Sequence, residues 1–524
     1  MQALPRSRVR TGWDVIGRSD SISIMSFATN MRRCVVAVLA AGAVLAASVP
    51  SASADVSQPD WCPVVEGRRV ECGTLTVPLV RADPSQGSTR IAYALVRRTG
   101  TGRPAAGTVV PVPGGPGEPA ISQVDLFAQQ TAALRADHDL LLIDPRGVGR
   151  SETIECGLPD DLYLLSRERY VAEIGKCGRA LGARARGYTS AESADDIDAV
   201  RARLGVDRVD LYGVSYGTYL STVYAHRHPD RVRRIVLSGA YPLASDPLGR
   251  SSARAVPDIL GRLCARSGTC RGGEAVADLR TLAARLRKDP IRFTARFAGR
   301  SRTVAMDERM LALLHYYVAG SGGTPAAWSE LPAAVGEAAR GKPAALVAMT
   351  RQTVEMMGTL PPEARSSRAQ SVAVLCNDYP VVWDRRSAVP ARRASFQRAL
   401  RRADGTFGPF STRGWTAAVA DSADACLRWP RETPRAPRYG AAPDLPVLVL
   451  SGDLDTNTTL DQGRRAAAQF PDATFVKVPN AGHVPTGEKS GCVARLAADF
   501  IRTGELRGTA CLSRIPALPV RPVR

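Results

Sequence analysis

Lysine is scarce in this chain of 524 residues: of its 70 basic residues only five are Lys (176, 288, 342, 477 and 489), which leaves 65 Arg. The formal net charge of +20 therefore comes from arginine scattered along the chain. No zinc-finger spacing, RNP-like aromatic motif or long basic run accompanies it, so the charge is not read as nucleic-acid binding. No Cys-x-x-Cys pair occurs, which argues against a metal or redox centre, and no cofactor is expected. Histidine is confined to positions 138, 226, 228, 315 and 483, so a proton-transfer role has few candidates. Internal repeats, low-complexity tracts and coiled-coil heptads are missing. Beyond the first 54 residues, no apolar run approaches the length of a membrane span.

The start of the chain has the pattern of a targeting segment. Met31-Arg32-Arg33 is a basic n-region, Cys34 to Val49 is apolar, and Ala52-Ser53-Ala54 is a small-residue cleavage site. Residues 1–54 are expected to be removed, leaving a secreted chain that begins near Asp55 and has no membrane anchor. Of eleven cysteines, Cys34 leaves with that segment and ten remain. An even number in an exported chain reads as a disulfide set. Sequential pairing keeps every loop short: Cys62–Cys72, Cys156–Cys177, Cys264–Cys270, Cys376–Cys426 and Cys492–Cys511.

The ordinary balance of 44% hydrophobic and 23% charged residues allows a sizeable core. Val70–Arg98 alternates around the turn-forming Asp83-Pro84-Ser85-Gln86-Gly87 and predicts a hairpin. Short apolar runs at 107–112, 139–143, 209–212 and 234–237 are separated by helix-length segments, the pattern of a parallel sheet with crossover helices. Between about Tyr241 and Tyr439 the periodicity is helical, with no comparable strand. The strand pattern resumes at Pro446–Ser451 and Thr474–Val478. The expected organisation is an α/β core over 55–245 and 438–524, with a large helical cap, 246–437, inserted between two late strands.

Gly213-Val214-Ser215-Tyr216-Gly217 lies between an apolar strand and a helical segment, the setting of a nucleophile elbow. Glycines two positions either side let the turn close tightly and leave the Ser215 hydroxyl exposed. A serine hydroxyl needs a base, usually a histidine oriented by a carboxylate. His483, after the last strand and downstream of the serine, is the expected base. Gly452-Asp453-Leu454-Asp455 follows the strand before it; Asp455, further into the loop, is the expected acid, and Asp453 is expected to hold the turn. Oxyanion donors are expected from the backbone of Tyr216, next to the nucleophile, and of Gly115, in Pro113-Gly114-Gly115-Pro116-Gly117.

Those motifs, with Asp144-Pro145-Arg146-Gly147-Val148-Gly149-Arg150-Ser151 and Gly482-His483, resemble the α/β-hydrolase exopeptidases, the proline iminopeptidase group and, more closely, the secreted tripeptidyl aminopeptidases. Pro113 at the head of the loop, Cys72-Gly73-Thr74-Leu75-Thr76-Val77-Pro78, and Cys376 with Cys426-Leu427-Arg428-Trp429-Pro430 match the tripeptidyl branch. The resemblance covers roughly residues 60–511. It implies an α/β-hydrolase fold and a serine exopeptidase that releases short peptides, three residues long, from a free N-terminus. The alternatives are single-residue release of the proline iminopeptidase kind and a carboxylesterase; a catalytically dead binding protein is disfavoured because every triad position is filled. Two departures stand out: Glu118 where the family has a small residue, and Thr456-Asn457-Thr458-Thr459 in place of a Pro-rich stretch. An exopeptidase needs a carboxylate for the substrate's ammonium, and Glu118 and Asp378 are the candidates.

Overall fold

The apolar runs of the sequence become strands buried on both faces. Along 109–112 and 140–143 successive side chains enter opposite layers: Val110, Val112, Leu141 and Ile143 join one core cluster, Val109, Leu140 and Leu142 the other. Each such side chain contributes about 1.5–3 kcal/mol by leaving water, which is why these strands carry no polar face. A computed structural model describes residues 58–359, 367–419, 423–431 and 439–523. The expected targeting segment and the expected boundary at 437/438 lie outside those residues.

The strands are β1 (Val70–Pro78), β2 (Ser88–Val96), β3 (Gly107–Val112), β4 (His138–Ile143), β5 (Val209–Val214), β6 (Val232–Ser238), β7 (Ile291–Phe297), β8 (Arg300–Met306), β9 (Val447–Gly452) and β10 (Ala473–Val478). Eight form one sheet in the order β1-β2-β4-β3-β5-β6-β9-β10. β2 runs antiparallel to both its neighbours, and every other pairing is parallel. β1 and β2 form the expected hairpin, in register from Val70 opposite Val96 to Pro78 opposite Ser88.

The polypeptide between β6 and β9 leaves and re-enters neighbouring strands, since Ile235 lies opposite Val447. Most of this insertion is helical, including Arg250–Ser267, Gly272–Lys288, Ala344–Thr359, Arg368–Asp378 and Val389–Arg402. It is not wholly helical, however. β7 and β8 form a separate antiparallel hairpin, which corrects the expectation of no strand between Tyr241 and Tyr439. Phe293, Ala295 and Phe297 are buried and alternate with exposed Arg292, Thr294 and Arg296. The two-residue loop, Ala298 (φ 48°) and Gly299 (φ 76°), has the paired positive φ of a tight hairpin turn. The period-2 signal is present in the sequence, but its arginine-rich outer face blends into arginine-rich helices on both sides.

All five sequential cysteine pairs are joined, with Cα separations from 4.6 to 5.8 Å. Among the described residues no helix is long and apolar enough to cross a membrane.

Candidate active site

Ser215 sits between β5 and the helix Tyr216–Arg227 with φ 53° and ψ −121°, a strained conformation for a residue with a side chain. Its flanking glycines are required by contact. A Cβ on Gly213 would lie 2.6 Å from the Gly217 carbonyl oxygen, and one on Gly217 would lie 1.9 Å from the Val112 carbonyl oxygen. The turn presses against the end of β3, and any larger residue would push them apart. Tyr216 opens the helix, so its backbone N–H belongs to the first turn, whose donors have no intrahelical acceptor. Its hydroxyl is buried against Ser190 Oγ at 2.8 Å.

The Pro113–Gly117 loop continues directly from β3. Gly115 has φ 99°, and a side chain there would strike the Gly117 nitrogen at 2.8 Å. The chain just beyond this loop is tied down by Asp144, whose buried carboxylate accepts hydrogen bonds from the backbone N–H groups of Ala120 (2.7 Å), Ile121 (2.8 Å) and Arg150 (2.7 Å). Burial raises the Asp144 pKa, and those N–H groups work against the rise. Arg146 is fully buried on Asp196, with two hydrogen bonds of 2.7 Å. The second glycine-rich motif of the sequence is therefore a support for the first, a role its spacing did not reveal.

His483 Nδ1 donates to Asp455 Oδ2 at 3.0 Å. Asp455 is buried, and its other oxygen accepts from the backbone N–H groups of Asn457 (2.7 Å) and Thr458 (2.9 Å). Thr458 Oγ1 donates to Asp455 Oδ2 at 2.6 Å and lies 3.1 Å from His483 Nδ1. Burial disfavours the imidazolium, but the charge and hydrogen bond of Asp455, helped by Glu118, outweigh it and hold the His483 pKa above its ordinary value. Asp453 does hold the turn: Arg266 donates to it at 2.6 and 3.1 Å, and the Asn480 N–H at 2.9 Å. Thr458 is a site residue that the sequence alone did not single out, although it lies in the stretch that departs from the family.

Ser215, His483, Gly115 and Glu118 line one cavity of about 270 Å³, with Thr458, Asn457 and the tyrosines 241, 316, 317 and 379 around it. The tyrosines come from the insertion and the segment leading into it, which the sequence could not orient. Tyr241 and Tyr379 share a hydrogen bond between their hydroxyls. Glu118 is part-buried, and burial raises its pKa against the pull of His483. The structure does not bring Asp378 to this cavity. Its buried carboxylate accepts from the Ser190 N–H at 2.6 Å, and burial pushes its pKa up to about 6. The other four histidines are engaged elsewhere: His138 with Asp137, His228 with Asp195, His226 stacked on Tyr439, and His315 on the Leu311 carbonyl.

The chain is similar to tripeptidyl aminopeptidase of Streptomyces coelicolor, 32% identical over 197 residues, which covers 34% of this chain and 36% of that protein. It thus spans little more than a third of that relative's length. Serine protease Hip1 of Mycobacterium tuberculosis is 29% identical over 433 residues, 76% of this chain and 79% of its own length. Proline iminopeptidase of Neisseria gonorrhoeae is 29% identical over 102 residues, 20% of this chain and 24% of its own. Residues 107–490 match the alpha/beta hydrolase fold family, and with an elbow serine at the head of the cavity the chain belongs to that family as a serine hydrolase.

Proposed function

We propose that this protein is an exported serine exopeptidase that shortens peptides from a free N-terminus. The observation that carries the reading is the meeting, in one small cavity, of the elbow serine, a histidine bonded to a buried aspartate, and a carboxylate, Glu118, that pairs with no arginine among the described residues. Ser215 Oγ attacks the carbonyl carbon of the scissile amide, and its proton passes to His483 Nε2, the ring nitrogen not bonded to Asp455. The carbonyl oxygen becomes an oxyanion held by the N–H groups of Tyr216 and Gly115. His483 then gives the proton to the departing amine as the C–N bond breaks. Water, deprotonated by His483, hydrolyses the acyl ester and returns the serine. Asp455 holds the ring in the tautomer this needs and stabilises the imidazolium.

Peptidase relatives favour amide substrates, and they suggest two lengths of released unit: three residues, after the tripeptidyl aminopeptidase, and one, after the proline iminopeptidase. Export is supported by five disulfides, which persist in oxidising compartments. The test is to label the purified protein with a fluorophosphonate and to assay it on aminoacyl and peptidyl anilides beside simple esters. Labelling at Ser215 with turnover of free-amine anilides is the expected result. Cleavage of esters alone would make the protein a carboxylesterase.

A further inference from the structure

The catalytic cavity has a neighbour. A second cavity, of about 390 Å³, shares Asp246 and Pro247 with it as a common wall. Another side of this second cavity is one face of the helix Val389–Arg402. Ser395, Arg398, Ala399 and Arg402 are spaced i, i+3, i+4 and i+7, which stacks them in one stripe. That helix carries five arginines and no acid. Arg392 is buried and donates to backbone carbonyls, those of Ser387 at 2.9 Å and Trp429 at 2.7 Å among them. Arg398 and Arg402 are exposed and border the cavity instead.

Asp246 is the one acid among the residues lining the second cavity, and it is already paired. Arg250 donates to it at 2.9 and 3.1 Å through its side chain and at 2.8 Å through its backbone N–H. Arg398 and Arg402 have no carboxylate partner among the described residues. Arg398 donates to Ser395 Oγ at 2.9 Å. Asp404, two residues beyond Arg402, accepts instead from the Thr412 hydroxyl at 2.6 Å. A basic last turn suits the negative end of the helix dipole, but Arg401, which does not line the cavity, meets that need. Two guanidiniums four residues apart on one helix face repel each other, and a carboxylate between them would reverse the sign of the interaction.

The shared wall and the sign of the charge indicate which part of a substrate belongs here. A peptide bound at Ser215 that runs along Asp246 and Pro247 passes from one cavity to the other. Each extended residue spans up to about 3.6 Å, so a few residues make the passage. The arginines repel an N-terminal ammonium, which disfavours the acyl side of an exopeptidase's substrate. The departing side ends in a carboxylate and has the sign these arginines attract.

We propose that the arginine-lined cavity is a subsite for the departing side of the peptide, where Arg398 and Arg402 select substrates that present a carboxylate. That carboxylate is an acidic side chain or the C-terminus of a short peptide. The proposal rests on the exopeptidase reading above and gives that enzyme a preference for acidic or short peptides.

The purified protein is given two matched sets of free-amine peptides, with products identified by mass spectrometry. One set is alanine peptides of four to eight residues, each as the free acid and as the C-terminal amide. The other is amidated octaalanine with Glu, Gln or Lys at each position from the third onward. At low salt, kcat/KM should favour the carboxylate member of at least one pair by roughly three- to tenfold, with Lys poorest at the same position. A preference for the acid over the amide in the shortest peptides alone identifies the C-terminus, and one for Glu over Gln identifies a side chain. The preference should shrink as salt rises to about 0.5 M. In the double variant Arg398→Gln, Arg402→Gln it should fall to near unity, while kcat/KM for the neutral amides stays as in the parent. The reversal Arg398→Glu, Arg402→Glu should favour Lys. A parent enzyme indifferent to the carboxylate, or a preference that survives the double variant or high salt, would overturn the subsite and leave the exopeptidase standing. Turnover of esters with no peptide cleaved would overturn the exopeptidase reading itself, and the subsite with it.

Discussion

Arg266, in the first long helix of the insertion, grips Asp453 with both terminal nitrogens, at 2.6 and 3.1 Å. It also donates to Asn480 Oδ1 at 2.9 Å. Asp453 lies two residues before Asp455, and Asn480 three before His483, so one guanidinium ties the inserted segment to both loops of the acid–base pair. Asp453 is fully buried and Arg266 about a third exposed. Removing the guanidinium strands a buried carboxylate, so Arg266→Gln should cost about 1–3 kcal/mol, discounted from a fully buried pair for the exposed partner. Because the loops slacken rather than the binding cavity, kcat should fall more than KM rises. Thermal melts and steady-state kinetics on the same variant check both.

Ser215→Ala should lower kcat/KM by at least about 10⁴-fold with the melting temperature nearly unchanged, since the turn is set by Gly213 and Gly217. His483→Ala should match it. Asp455→Asn should be about tenfold milder, as the carboxylate orients the ring without taking its proton. Strong residual activity in the serine variant, with labelling elsewhere, would refute the nucleophile.

The rate should rise with pH as His483 loses its proton, with a midpoint above the ordinary 6.5 because Asp455 and Glu118 outweigh burial. Asp455→Asn should move that midpoint down. The stabilising effect has the opposite sign. A histidine whose folded pKa is raised stabilises the fold fully below about pH 6.5, and that contribution disappears as pH climbs through the folded value. A pH–rate profile of kcat/KM and melts across the same range separate the two effects.

Asp378 is pushed up to about 6 by burial, so its ionised form is unfavourable in the folded state and it weakens the fold as pH rises from about 4 to 6. Asp378→Asn keeps an oxygen for the Ser190 N–H and removes the buried charge. It should be neutral to stabilising at pH 7, by up to about 1–3 kcal/mol, and should leave the preference for free over acetylated amines unaltered. A collapse of that preference would return Asp378 to the role of anchor.

Cys376–Cys426 spans a sequence separation of 50 and pins the helix Arg368–Asp378 to the turn Ala423–Cys426. Replacing both cysteines by serine should cost about 2–4 kcal/mol, largely by freeing the unfolded chain. Denaturant titration measures it, and non-reducing peptide mapping of the parent protein tests all five pairs.

Much of this molecule is decided by local rules that a sequence states openly. Val109–Val112 and Leu140–Ile143 had to be strands buried on both sides, and Gly213 and Gly217 had to flank the serine because a Cβ would strike the Gly217 carbonyl from the first and the end of β3 from the second. His483 is legible because only five histidines exist and chain order leaves one after the acid. The rest depends on contacts between distant segments, which no local pattern encodes. Asp378 reads as well as Glu118 for an anchor until the fold turns it toward Ser190, 188 residues away in sequence, and leaves Glu118 beside Ser215. Thr458 becomes part of the site only when the loop after β9 folds its hydroxyl between Asp455 and His483. Residue type and spacing determined the chemistry; which carboxylate stands beside the nucleophile was decided by tertiary packing alone, because chain separation does not fix separation in space.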